Sequence, residues 1–189
     1  MHGWWAASFV VLWVLVVSLA LLVLALARQI GTLQLRLGPR GAFEADDEGP
    51  PLGDAPEPLD LTDVDGRRVA IGGPGRAQLL LFVSPDCPVC RDVLPSVGAA
   101  ARAGRLSPIV VADVEPGENG HRLDDVRPRA RVVPAPAALE RYHVPGTPFA
   151  VILDELGVIR AKGTVNNLEQ LEGLVDTARR RAEEAPAVP

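Results

Sequence analysis

The chain opens with a long uncharged apolar block, and this pattern predicts a membrane-spanning helix. Residues 3–27 contain no charged side chain, and two serines are their only clearly polar residues. At about 1.5 Å per residue, a helix over this block would reach roughly 37 Å, enough to cross a hydrocarbon core about 30 Å thick. Apolar residues keep helical spacing until Gly38-Pro39. We therefore predict a single transmembrane anchor with a short helical extension in residues 1–37.

A cleaved signal peptide is the alternative for the same block, because Ala25-Leu26-Ala27 fits the small-x-small pattern of cleavage sites. Against it, no Lys or Arg precedes the apolar run, which is longer than the roughly 7–15 residues usual in a signal. Trp4 and Trp5 are typical of side chains at a membrane boundary. We expect an uncleaved anchor.

Residues 38–58 have the composition of a linker. They contain five Pro, four Gly and six Asp or Glu, a mixture that cannot bury a core. As a coil, the segment would hold its ends roughly 25 Å apart. We expect it to tether a folded domain in residues 59–182, which a disordered tail in residues 183–189 follows.

Short apolar runs in the remaining chain predict strands that alternate with helices. Two of them flank Asp65-Gly66, a good hairpin turn, and the run 78–83 is apolar enough for a central strand covered on both faces. Segment 114–131 is polar and predicts a loop with at most one short helix. We place strands at 59–62, 68–71, 78–83, 109–112, 149–153 and 158–161, and helices at about 88–103 and from 166 or 167 onward. This order is typical of an α/β fold, a thioredoxin-like sandwich with a central mixed sheet and flanking helices.

Composition narrows the function classes. The chain has 19 basic and 24 acidic residues. Three of the basic residues lie in the first forty positions, which contain no acid, so 16 basic residues face 24 acidic ones in the rest of the chain. This balance lacks the basic footprint of a protein that binds nucleic acid. Two cysteines exclude a disulfide-stapled mini-protein and a four-cysteine zinc site.

Both cysteines belong to the motif Cys87-Pro88-Val89-Cys90, which follows the predicted central strand and opens a helix. A helix start offers unpaired N–H groups and a positive dipole end, and both stabilise a thiolate. The spacing lets the two sulfurs meet across one turn, and Pro88 suits the first helical turn, where its missing N–H costs nothing. We predict Cys87 as the exposed nucleophile and Cys90 as the more buried resolving thiol.

Two other interpretations of the cysteines are inert packing and part of a zinc site. Zinc needs four ligands, and His2, His121 and His143 are too scattered to supply them. We expect His143 at the surface. We also expect no metal and no cofactor other than the redox-active disulfide Cys87–Cys90.

Five further residues have candidate supporting roles. Pro95 lies inside the predicted helix and should kink it. Thr147-Pro148 precedes a strand, where a proline is a candidate cis residue, and the Thr147 backbone could pair with an extended substrate. Asp86 would oppose a thiolate or, as we prefer, cap the helix. Arg91 would favour the thiolate or face solvent.

Taken together, Cys87, Cys90, Pro95 and Pro148 resemble the dithiol, helix proline and cis-proline of the thioredoxin superfamily. More narrowly, the chain resembles the MauD family of membrane-anchored methylamine utilisation accessory proteins. The segments that carry this resemblance are 26–31, 84–90, 94–95 and 160–166.

The MauD resemblance implies a thiol–disulfide oxidoreductase that forms or isomerises disulfides outside the cytoplasm. The implied substrate is the small subunit of methylamine dehydrogenase, which carries many disulfides and a tryptophan-derived quinone. One departure concerns Leu81, since thioredoxin itself has a buried Asp six residues before the first cysteine. This makes turnover as a reductase less favoured.

Partners and membrane orientation complete the expectations. With two cysteines the chain holds no internal relay, so a membrane redox partner must recycle the dithiol. Arg28, Arg36 and Arg40 follow the apolar block and, by the positive-inside rule, favour a cytoplasmic domain. Stable dithiol oxidation favours the exterior, and we expect a periplasmic domain. The alternatives are a thiol reductant of the cytochrome c maturation type and a non-catalytic docking module for assembly.

Overall fold

The computed structural model describes residues 3–36, 48–116 and 130–184. The chain divides into two compact units, 1–39 and 40–189. The first unit contains helix α1, Gly3–Arg36. Its segment Gly3–Leu22 has a mean hydropathy of 2.5, and none of its most apolar stretch is buried. By length and composition this helix can cross a membrane, as the apolar block predicts.

The second unit is a mixed α/β domain. Its strands are β1 (Leu59–Thr62), β2 (Arg68–Ile71), β3 (Gln78–Val83), β4 (Ser107–Ala112), β5 (Arg131–Pro134), β6 (Phe149–Leu153) and β7 (Ile159–Thr164). Its helices are α2 (Pro88–Val93), α3 (Val97–Gly104), α4 (Pro136–Arg141) and α5 (Leu168–Glu184). The first two strands form an antiparallel hairpin, and the other five form one sheet in the order β5-β4-β3-β6-β7. The fold is the predicted thioredoxin-like sandwich.

Strand β3 occupies the centre of the sheet because both of its faces are apolar. Leu79, Leu81 and Val83 pack in a buried cluster with residues of α2, α3 and α5. Leu80 and Phe82 point to the other face, where a second cluster contains residues of β2 and α4, and leucines of β1 pack against it. All of these β3 side chains from 79 to 83 are fully buried. The alternation places one hydrophobic layer on each side of the sheet.

The register of the central strands decides where loops meet. Strand β3 pairs parallel with β4 and antiparallel with β6. In the second pairing Phe82 lies opposite Phe149. The end of β3 therefore lies beside the start of β6, so the residues that follow β3 and those that precede β6 share one edge of the sheet.

A proline interrupts the helix that follows β3. The sequence predicts one kinked helix over about 88–103, and the structure has α2, a 3₁₀ turn at Leu94–Ser96 and then α3. Pro95 lacks the N–H needed for an α-helical hydrogen bond at this point, and a 3₁₀ turn accommodates that loss. Helix α5 begins where predicted, since the Asn167 side chain accepts a hydrogen bond from the Gln170 amide.

The second half of the predicted linker differs from a free tether. Residues 48–54, which we call the strap, lie against the domain: Gly53 N donates to Ile159 O at 2.9 Å, and Ile159 N donates to Asp54 O at 2.8 Å. Pro50 within the strap is buried. Composition missed this contact because a Pro/Gly-rich segment can pack on a core that other residues build. Residues 38–47 lie outside the described part of the chain.

Two elements were not predicted at all. Strand β5 and helix α4 are short, and Pro134 and Pro136, at the end of β5 and the start of α4, obscure the hydrophobic period. Most of the polar segment predicted as a loop, residues 117–129, lies outside the described ranges. Helix α5 runs to Glu184, two residues past the predicted end of the domain, and residues 185–189 of the predicted tail also fall outside.

Tyr142 follows α4 and is fully buried, with its ring 5.6 Å from that of Phe82. Its hydroxyl has no hydrogen-bond partner among the described residues. Burial raises the pKa of Tyr142 to about 12, a shift that the positive charge of Arg141 slightly opposes. Because an unfolded tyrosine ionises near pH 10, this phenol stabilises the fold below pH 10, and the contribution is lost as pH rises through about 12.

The variant Tyr142→Phe should therefore separate this contribution from other alkaline effects. At pH 7 we expect an unfolding free energy within about 1 kcal/mol of the wild type, because the hydroxyl leaves no partner behind. From pH 8 to 11 the wild type should lose about 1 kcal/mol more than the variant. Urea unfolding of both proteins in detergent measures the difference. An identical pH dependence would contradict it.

Candidate active site

The first cysteine ends the loop after β3 and starts helix α2. Cys87 is the N-cap residue, with an extended backbone, and Pro88 takes the first helical position. The Cys87 Sγ accepts a hydrogen bond from the Cys90 amide at 3.1 Å. The sulfur therefore takes the place that a Ser or Asp oxygen usually has at a helix start. Negative charge on this sulfur would be stabilised by the same amide and by the helix dipole.

The two cysteines are joined in a disulfide, with their Cα atoms 5.3 Å apart. Cys87 is half-buried, whereas Cys90 is 1 % exposed. An incoming sulfur can therefore reach Cys87 and not Cys90. This asymmetry matches the predicted pair of one accessible and one enclosed thiol.

The Thr147–Pro148 segment lies directly beside Cys87. The peptide bond between these two residues is cis, at the position where the sequence suggests it. The Cys87 Sγ is 3.6 Å from the Thr147 carbonyl oxygen. Pro148 is buried and Thr147 is half-buried. The β3–β6 register thus brings residues sixty positions apart in the sequence into contact.

The surroundings of Cys90 are apolar. Leu81, at the position of thioredoxin's buried acid, is fully buried and belongs to the same hydrophobic cluster as Cys90. Val93 and Val114 belong to that cluster too. Leu81 therefore offers no proton acceptor beneath the dithiol, as the sequence indicates.

The prediction that Asp86 caps helix α2 is wrong. The residue that caps α2 is Cys87, one position later, because the chain turns into the helix only after the sulfur. Asp86 is exposed, and so is Arg91, which lies in the last turn of α2. Neither side chain is enclosed with the sulfurs.

Two further candidates, Pro95 and His143, lie at the surface. Pro95 is exposed, so its part is to shape the helix. His143 is exposed at the surface, as predicted, with a φ of 47°. No group of three metal-ligating side chains occurs in residues 3–36, 48–116 and 130–184, and His121 lies outside them. Sequence reasoning did not single out Lys162, a buried residue of β7; the one signal for it was that it is the only lysine in the chain.

The fold and the paired cysteines define the class: this is a thioredoxin-like thiol–disulfide oxidoreductase. Comparison with curated proteins then gives the family. Methylamine utilization protein MauD of Methylorubrum extorquens is 41 % identical over 178 residues, which cover 90 % of this chain and 84 % of the relative. Four other proteins of that name are 36–38 % identical. The chain belongs to the MauD family. No model of a known protein family matches the chain.

Solved structures agree on the fold. The thioredoxin domain of a thiol–disulfide oxidoreductase from Bacteroides vulgatus has a TM-score of 0.54 and 19 % identity, and the match covers 68 % of this chain and 96 % of that domain. A secreted disulfide oxidoreductase of Mycobacterium tuberculosis has a TM-score of 0.50 and 21 % identity, and the match covers 62 % and 94 % of the two chains.

The apolar character of the site beneath Cys90 can be tested with Leu81→Asp. An unpaired buried carboxylate should lower the unfolding free energy by about 3 kcal/mol or more at pH 7. Burial raises the pKa of the introduced carboxyl, so the variant should regain stability as pH falls toward 4. Leu81→Asn, of similar shape and without the charge, should show no such recovery. Denaturant unfolding at pH 7 and pH 4.5 compares the variants, and an equal pH response would show that water reaches this position.

Proposed function

We propose that this protein forms or isomerises disulfides in the small subunit of methylamine dehydrogenase or in a similar exported protein. The observation that carries the proposal is the asymmetric disulfide. Cys87 is accessible at a helix start, is bonded to the enclosed Cys90 and lies beside the Thr147 carbonyl. The family membership supports a role in methylamine utilisation.

Disulfide formation begins from the oxidised pair. A substrate thiolate attacks Cys87 Sγ, the Cys87–Cys90 bond breaks, and Cys90 leaves as a thiolate. A second substrate thiolate then attacks the substrate sulfur of the mixed disulfide, and Cys87 leaves as a thiolate. The substrate gains a disulfide and gives two electrons to the protein, and its two thiol protons pass to the Cys87 and Cys90 thiolates or to water. A membrane redox partner accepts those electrons and restores the Cys87–Cys90 bond.

Isomerisation uses the reduced pair. The Cys87 thiolate attacks a disulfide of the substrate, and the sulfur that leaves can attack another substrate disulfide. A final substrate thiolate releases Cys87, so the number of disulfides in the substrate is unchanged. Cys90 attacks Cys87 when no substrate thiol does, which frees a reduced substrate.

Two features of the chain assist these exchanges. The Cys90 amide, 3.1 Å from Cys87 Sγ, stabilises Cys87 each time it leaves as a thiolate. The Thr147 carbonyl lies beside the reacting sulfur and can accept a backbone hydrogen bond from an extended substrate segment. Leu81 gives no proton acceptor near Cys90, which supports the oxidising direction over sustained turnover as a reductase.

The proposal includes a location. Helix α1 serves as a single-pass anchor, and the redox domain lies on the periplasmic side. A stable disulfide is typical of an oxidising compartment, and the structurally similar Mycobacterium tuberculosis protein is secreted.

Replacing the resolving cysteine should trap the substrate. In Cys90→Ser, the mixed disulfide on Cys87 lacks its internal competitor, so adducts that disappear on reduction should accumulate on non-reducing gels. Cys87→Ser is the matched control and should give none. The catalytic proposal fails if Cys90→Ser gives no adduct with any protein and a variant with both Cys87→Ser and Cys90→Ser restores methylamine dehydrogenase maturation in cells. The protein would then act as a docking module.

One labelling experiment can measure both the side of the membrane on which Cys87 lies and the resting redox state of the Cys87–Cys90 pair. We expect a membrane-impermeant maleimide to label Cys87 in intact cells only after treatment with an impermeant reductant, because the resting pair is oxidised and faces outward. Labelling before reduction would indicate a reduced resting pair and favour the reductant of the cytochrome c maturation type. Labelling only after lysis would put the domain in the cytoplasm.

A further inference from the structure

The strap is fastened to the domain by a buried lysine. Lys162 in β7 is 1 % exposed, and its ammonium donates a hydrogen bond of 2.7 Å to the Glu48 carbonyl oxygen. A buried ammonium needs such acceptors, since its desolvation is costly. Charge-assisted bonds of this kind are stronger than neutral ones. The bond therefore fixes the first residue of the strap.

Next to this bond the strap touches the start of β6. Gly49 has a φ of 78°, and a Cβ added there would lie 2.7 Å from Phe149 Cζ and 3.7 Å from Lys162 Cδ. Only glycine fits so close to the ring in this conformation. Phe149 is 2 % exposed. The strap thus forms one wall around the Phe149 ring.

Phe149 directly follows the segment that faces Cys87. Pro148 precedes it in the chain, and the Thr147 carbonyl is 3.6 Å from Cys87 Sγ. The Pro148 carbonyl oxygen accepts a hydrogen bond from Val165 N at 3.3 Å. The position of the Phe149 ring therefore bears on where the Thr147 carbonyl lies.

We propose that Lys162 is a positioning residue of the active site: by holding the Glu48 carbonyl it keeps Gly49 against Phe149 and fixes the Thr147 carbonyl for backbone pairing with a polypeptide substrate. The inference rests on the proposed thiol–disulfide exchange with protein substrates. The strap, which composition predicts to be part of a linker, would then influence the rate of exchange with polypeptide substrates. In this proposal Lys162 acts on the site through Phe149 and the Thr147–Pro148 segment.

The test compares two substrates of the oxidised full-length protein in detergent. One is a reduced peptide with two cysteines, which needs the Thr147 carbonyl for pairing, and the other is dithiothreitol, which does not. Lys162→Met keeps the length and loses the donor. It should slow oxidation of the peptide about tenfold, mainly through a higher KM, and leave the rate with dithiothreitol within about twofold. The reduction potential should not change. Lys162→Arg, which retains a charged donor, should recover part of the loss.

A second pair of variants acts on the strap itself. Gly49→Ala forces a Cβ toward the Phe149 ring and should give the same selective loss with the peptide. Gly53→Ala is the matched control: its φ of 82° imposes a comparable backbone cost, but among the described residues, chain neighbours aside, no atom lies within 4 Å of the added carbon. It should lower stability without separating the two substrates.

Each outcome decides one point. If the wild type oxidises dithiothreitol and no peptide, the proposed function fails, whatever Lys162 does. If the wild type oxidises the peptide and Lys162→Met matches it, the inference about Lys162 is overturned. If Lys162→Met or Gly49→Ala slows both substrates equally, the strap has a structural role only, and the inference is overturned too.

Discussion

Everything at the dithiol depends on the antiparallel pairing of β3 with β6. β3 ends at Val83 and leads to Cys87, and β6 begins at Phe149, directly after Pro148. Because Phe82 lies opposite Phe149, the two loops emerge side by side at the same edge. A slip of one residue would turn every β3 side chain to the other face of the sheet. Such a slip would disrupt the close packing of both hydrophobic clusters, so the hydrophobic core sets the geometry of the reacting sulfur.

The same arrangement gives the two cysteines different roles. Cys87 is the cap of its helix, so the group that closes the helix is also the group that reacts. Breaking the disulfide leaves the Cys90 amide directed at the Cys87 sulfur. Cys90 lies one turn further, among apolar residues that exclude other thiols. Cys90 therefore pairs with Cys87, and thiol exchange with other molecules takes place at the Cys87 sulfur.

Sequence reasoning succeeded where one local pattern decides the structure. The strands 59–62, 68–71, 78–83 and 149–153 have the predicted bounds because each is a short apolar or alternating run between turn residues. The CxxC motif and Thr147-Pro148 were found because their residue types are rare in other contexts. Asp86 is a good cap by residue type, yet Cys87 takes that place because the chain enters the helix one residue later. The strap packs on a surface to which residues 149–165 contribute, and Lys162 is buried there. No local pattern in the sequence shows this surface.

The proposed exchange with incompletely folded substrates gives a second consequence to the hydrogen bonds along the outer strands of the sheet. Such chains carry unpaired backbone amides and add readily to an open strand edge, which is a common route to aggregation. Here Gly53 and Asp54 occupy backbone groups of Ile159 on β7, and Val64 N donates to Val132 O on β5 at 3.0 Å. Segments of the chain itself already pair with part of each outer strand, so a substrate polypeptide has fewer positions at which it can add as an extra strand. It can therefore dissociate once its thiols and disulfides have been exchanged.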